Sequence, residues 1–240
     1  MDFGFLSEYS KYFIDGTKAT IGLSAITLIL GFMLGIVVCL LKISKSKILR
    51  FIASVYIEFL RCTPLLIQIS IVYFGFPALG IEFPSIGPLS SEFVAAIFTL
   101  SINSSAYIAE ILRSGIQSVD NGQMEASRSL GFNYFMSMRY IIIPQGLKNS
   151  LPSLVNEFIS LIKESSIVSV IGIPDLMYKA DVVRGTTYLA FEPLIVAALI
   201  YFVLTFSLSK LVGLLEYRLN NKTLKSAEGF SKKNEVADIA

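Results

Sequence analysis

The chain has 240 residues, 54% of them hydrophobic and 16% charged, with a mean hydropathy of +0.68. Soluble globular chains carry about 25% charged residues, so this composition points to an all-α membrane protein whose first partner is the lipid bilayer. The net charge of +2 argues for no nucleic-acid partner, the absence of His removes His-based catalysis and metal ligation, and the two cysteines form no zinc site. No metal-ligand cluster and no catalytic constellation is legible, and the chain lacks a GxxxxGK[ST] nucleotide loop.

Residues 19–41 form the first charge-free run, and about 20 apolar residues suffice to cross the hydrocarbon core. The run is too long for a cleaved signal peptide and follows the acidic Asp2, Glu8 and Asp15. Gly31 and Gly35 form a GxxxG that permits close helix packing. A second charge-free run, 62–81, has Pro64 near its start and Pro77 near its end, and predicts a helix from about Ala53 to near Phe76. The third, 93–109, extends to about Leu112, and the last, 193–209, to about Leu215. Residues 151–173 contain Asn156, Glu157, Lys163 and Glu164 in an otherwise apolar stretch. They form either an interfacial amphipathic segment or a span with its polar face on a cavity.

Charge in the connections separates these two. Lys42, Lys45, Lys47 and Arg50 follow the first run, whereas 77–92 holds no Lys or Arg. The stretch 113–148 holds Arg113, Arg128, Arg139 and Lys148, and the tail holds Lys222, Lys225, Lys232 and Lys233. The positive-inside rule places all three basic stretches in the cytoplasm, so 151–173 must cross. The expected architecture is five transmembrane helices, N-terminus outside and C-terminus cytoplasmic. A membrane domain over 1–217 precedes a cytoplasmic tail, 218–240, that frays beyond about Ser226. Cys39 and Cys62 then lie near the reducing side, which argues against a disulfide.

Residues 123–144, QMEASRSLGFNYFMSMRYIIIP, are too polar to span and too apolar for an ordinary loop. Apolar residues at helical spacing on both sides of Gly131 predict a short helix–turn–helix at the cytoplasmic face, with Pro144 stopping or kinking the chain before the next span. Ala126 and Ser127 are expected on its surface, where small side chains admit a partner.

Glu125-Ala126-Ser127, then Gly131, then Ile141-Ile142-Ile143-Pro144 resembles the EAA loop of the membrane subunits of binding-protein-dependent ABC importers. Ser127 stands for the second Ala and Ile143 for the Leu. Residues 59–77, 105–132 and 156–176 resemble the polar amino-acid permease branch, with Cys62 where Gly is usual. The resemblance covers about 12–217 and implies the type I importer transmembrane fold with no catalysis in this chain. It implies a cytoplasmic ABC ATPase dimer that holds ATP and Mg, an extracytoplasmic amino-acid-binding protein, and a second permease subunit, identical or homologous. It places Glu125, Ala126, Ser127, Gly131 and Pro144 in the ATPase-coupling loop.

Ionisable groups inside spans are costly and usually face a cavity or partner. Glu164 lies about 20° off the Glu157 line on a helix, so Glu157, Ser160 and Glu164 form one polar stripe, whereas Lys163 lies elsewhere. With Asn156, and with Asn103, Ser104 and Ser105 at similar depth in the third helix, they are candidates for the path of an amino-acid substrate. The plainer reading is that such groups hold helices together by hydrogen bonds. A carboxylate in the path favours a basic amino acid, with glutamine, glutamate and cystine as alternatives. Glu58 with Arg61 and Glu110 with Arg113 have the spacing of helical salt bridges. A self-contained secondary transporter or channel, and more distantly an intramembrane enzyme, are the competing classes. The lack of an inverted repeat and of any acid–base constellation weighs against them.

Overall fold

The computed structural model describes residues 3–213 of the protein. Among these, the secondary structure is helical apart from one isolated bridge between Ile86 and Leu89. The tail expected over 218–240 lies outside the described residues, as do the last residues of the domain assigned to 1–217.

The first helix, α1 (Leu6–Lys42), starts well before the charge-free run. Its polar first turns are amphipathic: Phe13, with Phe5 just ahead of the helix, packs on Leu176, Ala180, Val183 and Ala197. The GxxxG of α1 is used within the chain. A Cβ on Gly31 would lie 3.2 Å from Ser104 Cβ, and one on Gly35 would lie 2.7 Å from Ile108 Cγ2. Those two glycines let α1 approach α4 (Ser91–Gln117) closely, and Ala95, Ala96, Ala106 and Ala109 make α4 small in return. In its most apolar window 67% of α4 is buried, against 11% for the last helix α9 (Glu192–Gly213), so α4 is the central element and α9 peripheral.

The second predicted span is two helices, α2 (Lys47–Cys62) and α3 (Leu65–Ala78), bent by 101° at Thr63–Pro64. This corrects the single helix expected from about Ala53. Pro64 has no amide hydrogen, so the carbonyl of Leu60 loses its helical donor. Gln68 replaces it: Nε2 donates to Leu60 O at 2.8 Å, Thr63 Oγ1 at 2.8 Å and Thr63 O at 3.1 Å. Asn103 on α4 completes the knot, donating to Gln68 Oε1 at 2.9 Å and Leu60 O at 3.3 Å. Backbone groups freed inside a membrane cost several kcal/mol unless satisfied by neighbours, which explains two buried amides here. Gln68→Leu removes both the donor and the acceptor for Asn103. It is expected to destabilise the fold by about 1–3 kcal/mol, read as a lower thermal midpoint in detergent; an unchanged midpoint would show that the break is held by other contacts.

After α4 come α5 (Asn121–Ser129) and α6 (Tyr134–Ser137), the helix–turn–helix anticipated around Gly131. The chain then runs through a π turn, Met138–Ile142, into α7 (Ile143–Glu164) and a 3-10 segment, Ser165–Ile171. Pro144 does not stop the helix, as the sequence allowed. The π turn lies where its missing amide would unpair the Tyr140 carbonyl, and the helix continues through Pro144 and Pro152. Of the segment expected at 151–173, residues 151–164 are thus the far part of a longer helix, and the remainder is the 3-10 segment and the turn after it. Beyond it, α8 (Leu176–Thr187) is capped by buried Asp175, which accepts from the Tyr178 amide at 2.8 Å and from the Tyr201 hydroxyl of α9 at 3.3 Å. These bonds tie α8 to the last helix, and Thr20 of α1 accepts from the Leu176 amide at 3.1 Å.

Candidate functional sites

Two constellations have no purely packing explanation: the α5–α6 turn and a polar seam between α4 and α7. At the turn, Asp120 caps α5 by accepting from the Gly122 amide at 2.7 Å, and Asn133 caps α6 by accepting from the Met136 amide at 2.9 Å. Between them the chain reverses in a left-handed cap. The Phe132 amide donates to Ser127 O at 3.1 Å and the Gly131 amide to Arg128 O at 3.0 Å, with Gly131 at φ +88°. This is the Schellman pattern, and it requires a residue free to take positive φ.

Glu125, Ala126 and Gly131 are exposed, as anticipated, but Ser127 is buried at 1% exposure. Its hydroxyl bonds Ser137 Oγ at 2.7 Å and Met124 O at 2.8 Å, so Ser127 clamps α5 to α6 and is not a surface contact. A small hydroxyl fits there because the two helices approach side to side; helical spacing alone does not fix which face turns inward. Leu130 at the tip is 80% exposed and Phe135 67%. Two large apolar side chains outside the helix bundle mark a surface shaped for a partner.

In the seam, Ser104 donates to Glu157 Oε1 at 3.0 Å, which links α4 to α7 at the depth of the break in the second span. Ser160 is half-buried, while Asn156 and Glu164 are exposed on α7. Asn103 and Ser105 are committed to the frame: Asn103 to the Pro64 break, and Ser105 to Tyr56 OH at 2.7 Å and to Ile102 O at 2.7 Å. Arg61 does not pair with Glu58. Its guanidinium carbon lies 5.4 Å from the Tyr107 ring centre, where the aromatic face holds the cation without a carboxylate. Glu110 and Arg113 do form their ion pair.

The sequence reading missed the continuation of this seam. A polar cavity of about 310 Å³ lies between the C-terminal half of α4 and the N-terminal half of α7, lined by Glu110, Ser114, Ser118, Asn149 and Ser153 among others. Asn149 Nδ2 donates to Ser118 Oγ at 2.8 Å across it. The signal was legible as Ser114 and Ser118 four residues apart, within the stretch read as a connection, and Asn149 and Ser153 four residues apart, at the start of the polar segment. Among the described residues no group of His, Cys, Asp or Glu is arranged to hold a metal ion.

Residues 27–221 match the profile of the binding-protein-dependent transport system inner membrane component. The chain is similar to the "Putative glutamine transport system permease protein GlnP" of Rickettsia bellii (strain RML369-C), with 42% identity over 221 residues, 90% of this chain and 98% of that protein. It is also similar to the arginine transport system permease protein ArtQ of Bacillus subtilis (strain 168), at 40% identity over 92% of this chain and 98% of that protein. Among solved structures, an amino acid ABC transporter with histidines superposes with a TM-score of 0.85 at 47% identity, covering 91% of this chain and 99% of that one.

Proposed function

The chain belongs to the binding-protein-dependent transport inner-membrane component family, as a permease subunit of an amino-acid ABC importer in the bacterial inner membrane, and from this premise we propose how its two sites divide the work. The α5–α6 turn seats in a separate cytoplasmic ATPase, which alone holds ATP and Mg. Glu125, Ala126 and Gly131 touch the partner, Leu130 reaches into it, and Ser127 keeps the two short helices rigid enough to transmit a push. Pro144 and the π turn before it join that rigid unit to α7. Five spans are too few to enclose a path, so two permease subunits, identical or homologous, face each other beneath an extracytoplasmic amino-acid-binding protein.

The substrate path runs along α7 past Glu157, Ser160 and Glu164, beside Ser104, and leaves through the polar cavity between α4 and α7. Asn156 lies at its edge; Asn103 and Ser105 shape its wall and do not line it. The observation that supports this reading most is the Glu157–Ser104 pair, an ionisable group within a span and about one helical turn along α7 from Ser153 of the polar cavity. Relatives of nearly equal identity are named for glutamine and for arginine, and both substrates share the α-ammonium. Glu157 therefore meets the ammonium of a polar amino acid, and choice among side chains rests with the binding protein. The basic preference inferred from Glu157 alone is not needed.

The test has two parts. Vesicles containing this permease, its ATPase and its binding protein should accumulate a polar amino acid only with ATP inside; uptake driven by an ion gradient without ATP overturns the proposal. A reporter active only outside the cytoplasm should be active when fused at Ile81 or Lys179 and silent at Lys45, Gln123 or Lys225. Activity at Gln123 would put the coupling turn on the wrong side.

A further inference from the structure

A groove of about 470 Å³ runs between the cytoplasmic end of α1 and the α6–π-turn segment. Its floor is apolar, from Leu40, Ile43, Met138 and Ile143, and Lys45 and Arg139 stand at its edge. Both cations are exposed, and among the described residues neither has a carboxylate at ion-pair distance. Each lies beside a ring instead: Lys45 Nζ is 5.2 Å from the centre of Tyr134, and the Arg139 guanidinium 5.8 Å from that of Tyr140. The floor continues into the outer face of α1, where Met33, Val37 and Leu40 are each more than half exposed.

We propose that this groove binds one anionic phospholipid of the cytoplasmic leaflet, with an acyl chain on the Leu40–Ile43–Met138 floor and the phosphate between Lys45 and Arg139. Three features select a lipid. The apolar floor opens onto the side of a membrane-spanning helix, where lipid tails already lie. The two cations stand at the end where that helix meets the basic 42–50 connection, which is headgroup depth. Both cations line the one groove, an Arg fork and a Lys point charge each suit a phosphodiester, and no carboxylate stands at ion-pair distance from either to compete. A bound lipid would bridge α1 to the segment joining the coupling turn to α7, so that membrane composition tunes coupling. The inference rests on the cytoplasmic placement of residues 113–148, which the reporter fusions test separately.

The experiment uses the assembled transporter, permease with ATPase, incubated with phosphatidylglycerol or phosphatidylcholine of identical acyl chains and examined by native mass spectrometry. The wild type is expected to retain one phosphatidylglycerol per permease chain in preference to phosphatidylcholine. Lys45→Ala/Arg139→Ala should retain phosphatidylglycerol roughly tenfold or more weakly, the scale of losing two basic contacts with an anionic surface. Its phosphatidylcholine retention should stay unchanged, which also reports that the groove is folded. Equal retention of phosphatidylglycerol by the variant and the wild type overturns the proposal. So does loss of the ATPase from the variant with lipid retention intact, which would make the groove a protein contact.

Discussion

Gly131→Asp is expected to yield a permease that inserts and folds but whose assembled transporter no longer raises ATP hydrolysis in response to loaded binding protein. The reason is local. Gly131 sits at φ +88° in the cap that ends α5, and a side chain in that region costs about 1–2 kcal/mol, enough to shift the turn roughly 5- to 30-fold toward other conformations. No atom lies within 4 Å of the Cβ position, so the substitution creates no clash inside the chain and the membrane bundle is untouched. The added carboxylate instead projects from the exposed tip beside Leu130, at the surface assigned to the ATPase. Gly131→Ala separates the two causes. It keeps the strain without the charge and should retain part of the stimulation, while Asp loses it. Stimulation at wild-type level in a well-expressed Gly131→Asp variant would remove the turn from the coupling role.

Replacing Glu157 with Gln should lower uptake of the cognate amino acid by roughly ten- to a hundredfold, the scale of one hydrogen bond to a charged group at about 1.5–3 kcal/mol. Gln is nearly isosteric and still accepts from Ser104 Oγ, so the 3.0 Å bond between α4 and α7 can survive. The thermal midpoint should therefore change little. What is lost is the negative charge that meets the substrate ammonium. A purely structural Glu157 predicts instead that uptake and coupled ATP hydrolysis both stay at the wild-type level, because Gln keeps the bond from Ser104. Ser104→Ala is the companion variant, because it leaves the carboxylate in place and removes only its donor. Uptake by Ser104→Ala should fall less than by Glu157→Gln.

Much of the fold was legible because a membrane imposes few and strong rules. The four charge-free runs fall on the three long apolar helices and the bent pair; the crossing of a fifth, polar segment rests on the distribution of Lys and Arg alone. The helix–turn–helix around Gly131 was legible for a different reason. A glycine between two amphipathic stretches has one common use, the left-handed end of a helix, and the structure places Gly131 there.

What the sequence could not give was the partner of each polar group. Gln68 carried no role of its own in the sequence, and Asn103 read as part of a path. Their role appears only when the Pro64 break presents unpaired carbonyls beside α4. Ser127 looked like a surface residue because helical spacing fixes relative angles and not the direction of the neighbour. Arg61 had a carboxylate three residues away in sequence and a tyrosine ring across the gap in space, and the ring holds it.

By itself, then, the sequence determined the membrane class, the long apolar helices, the helix–turn–helix around Gly131 and the family, since these depend on runs and spacings along one chain. Only the tertiary structure decided that Gly31 and Gly35 serve packing within the chain, that the second span is broken, and that Glu157 bonds Ser104 above a polar cavity. Each of those depends on which helices become neighbours. In a bundle, neighbours are chosen by shape and by the need to satisfy every buried polar group, which no single stretch of sequence encodes.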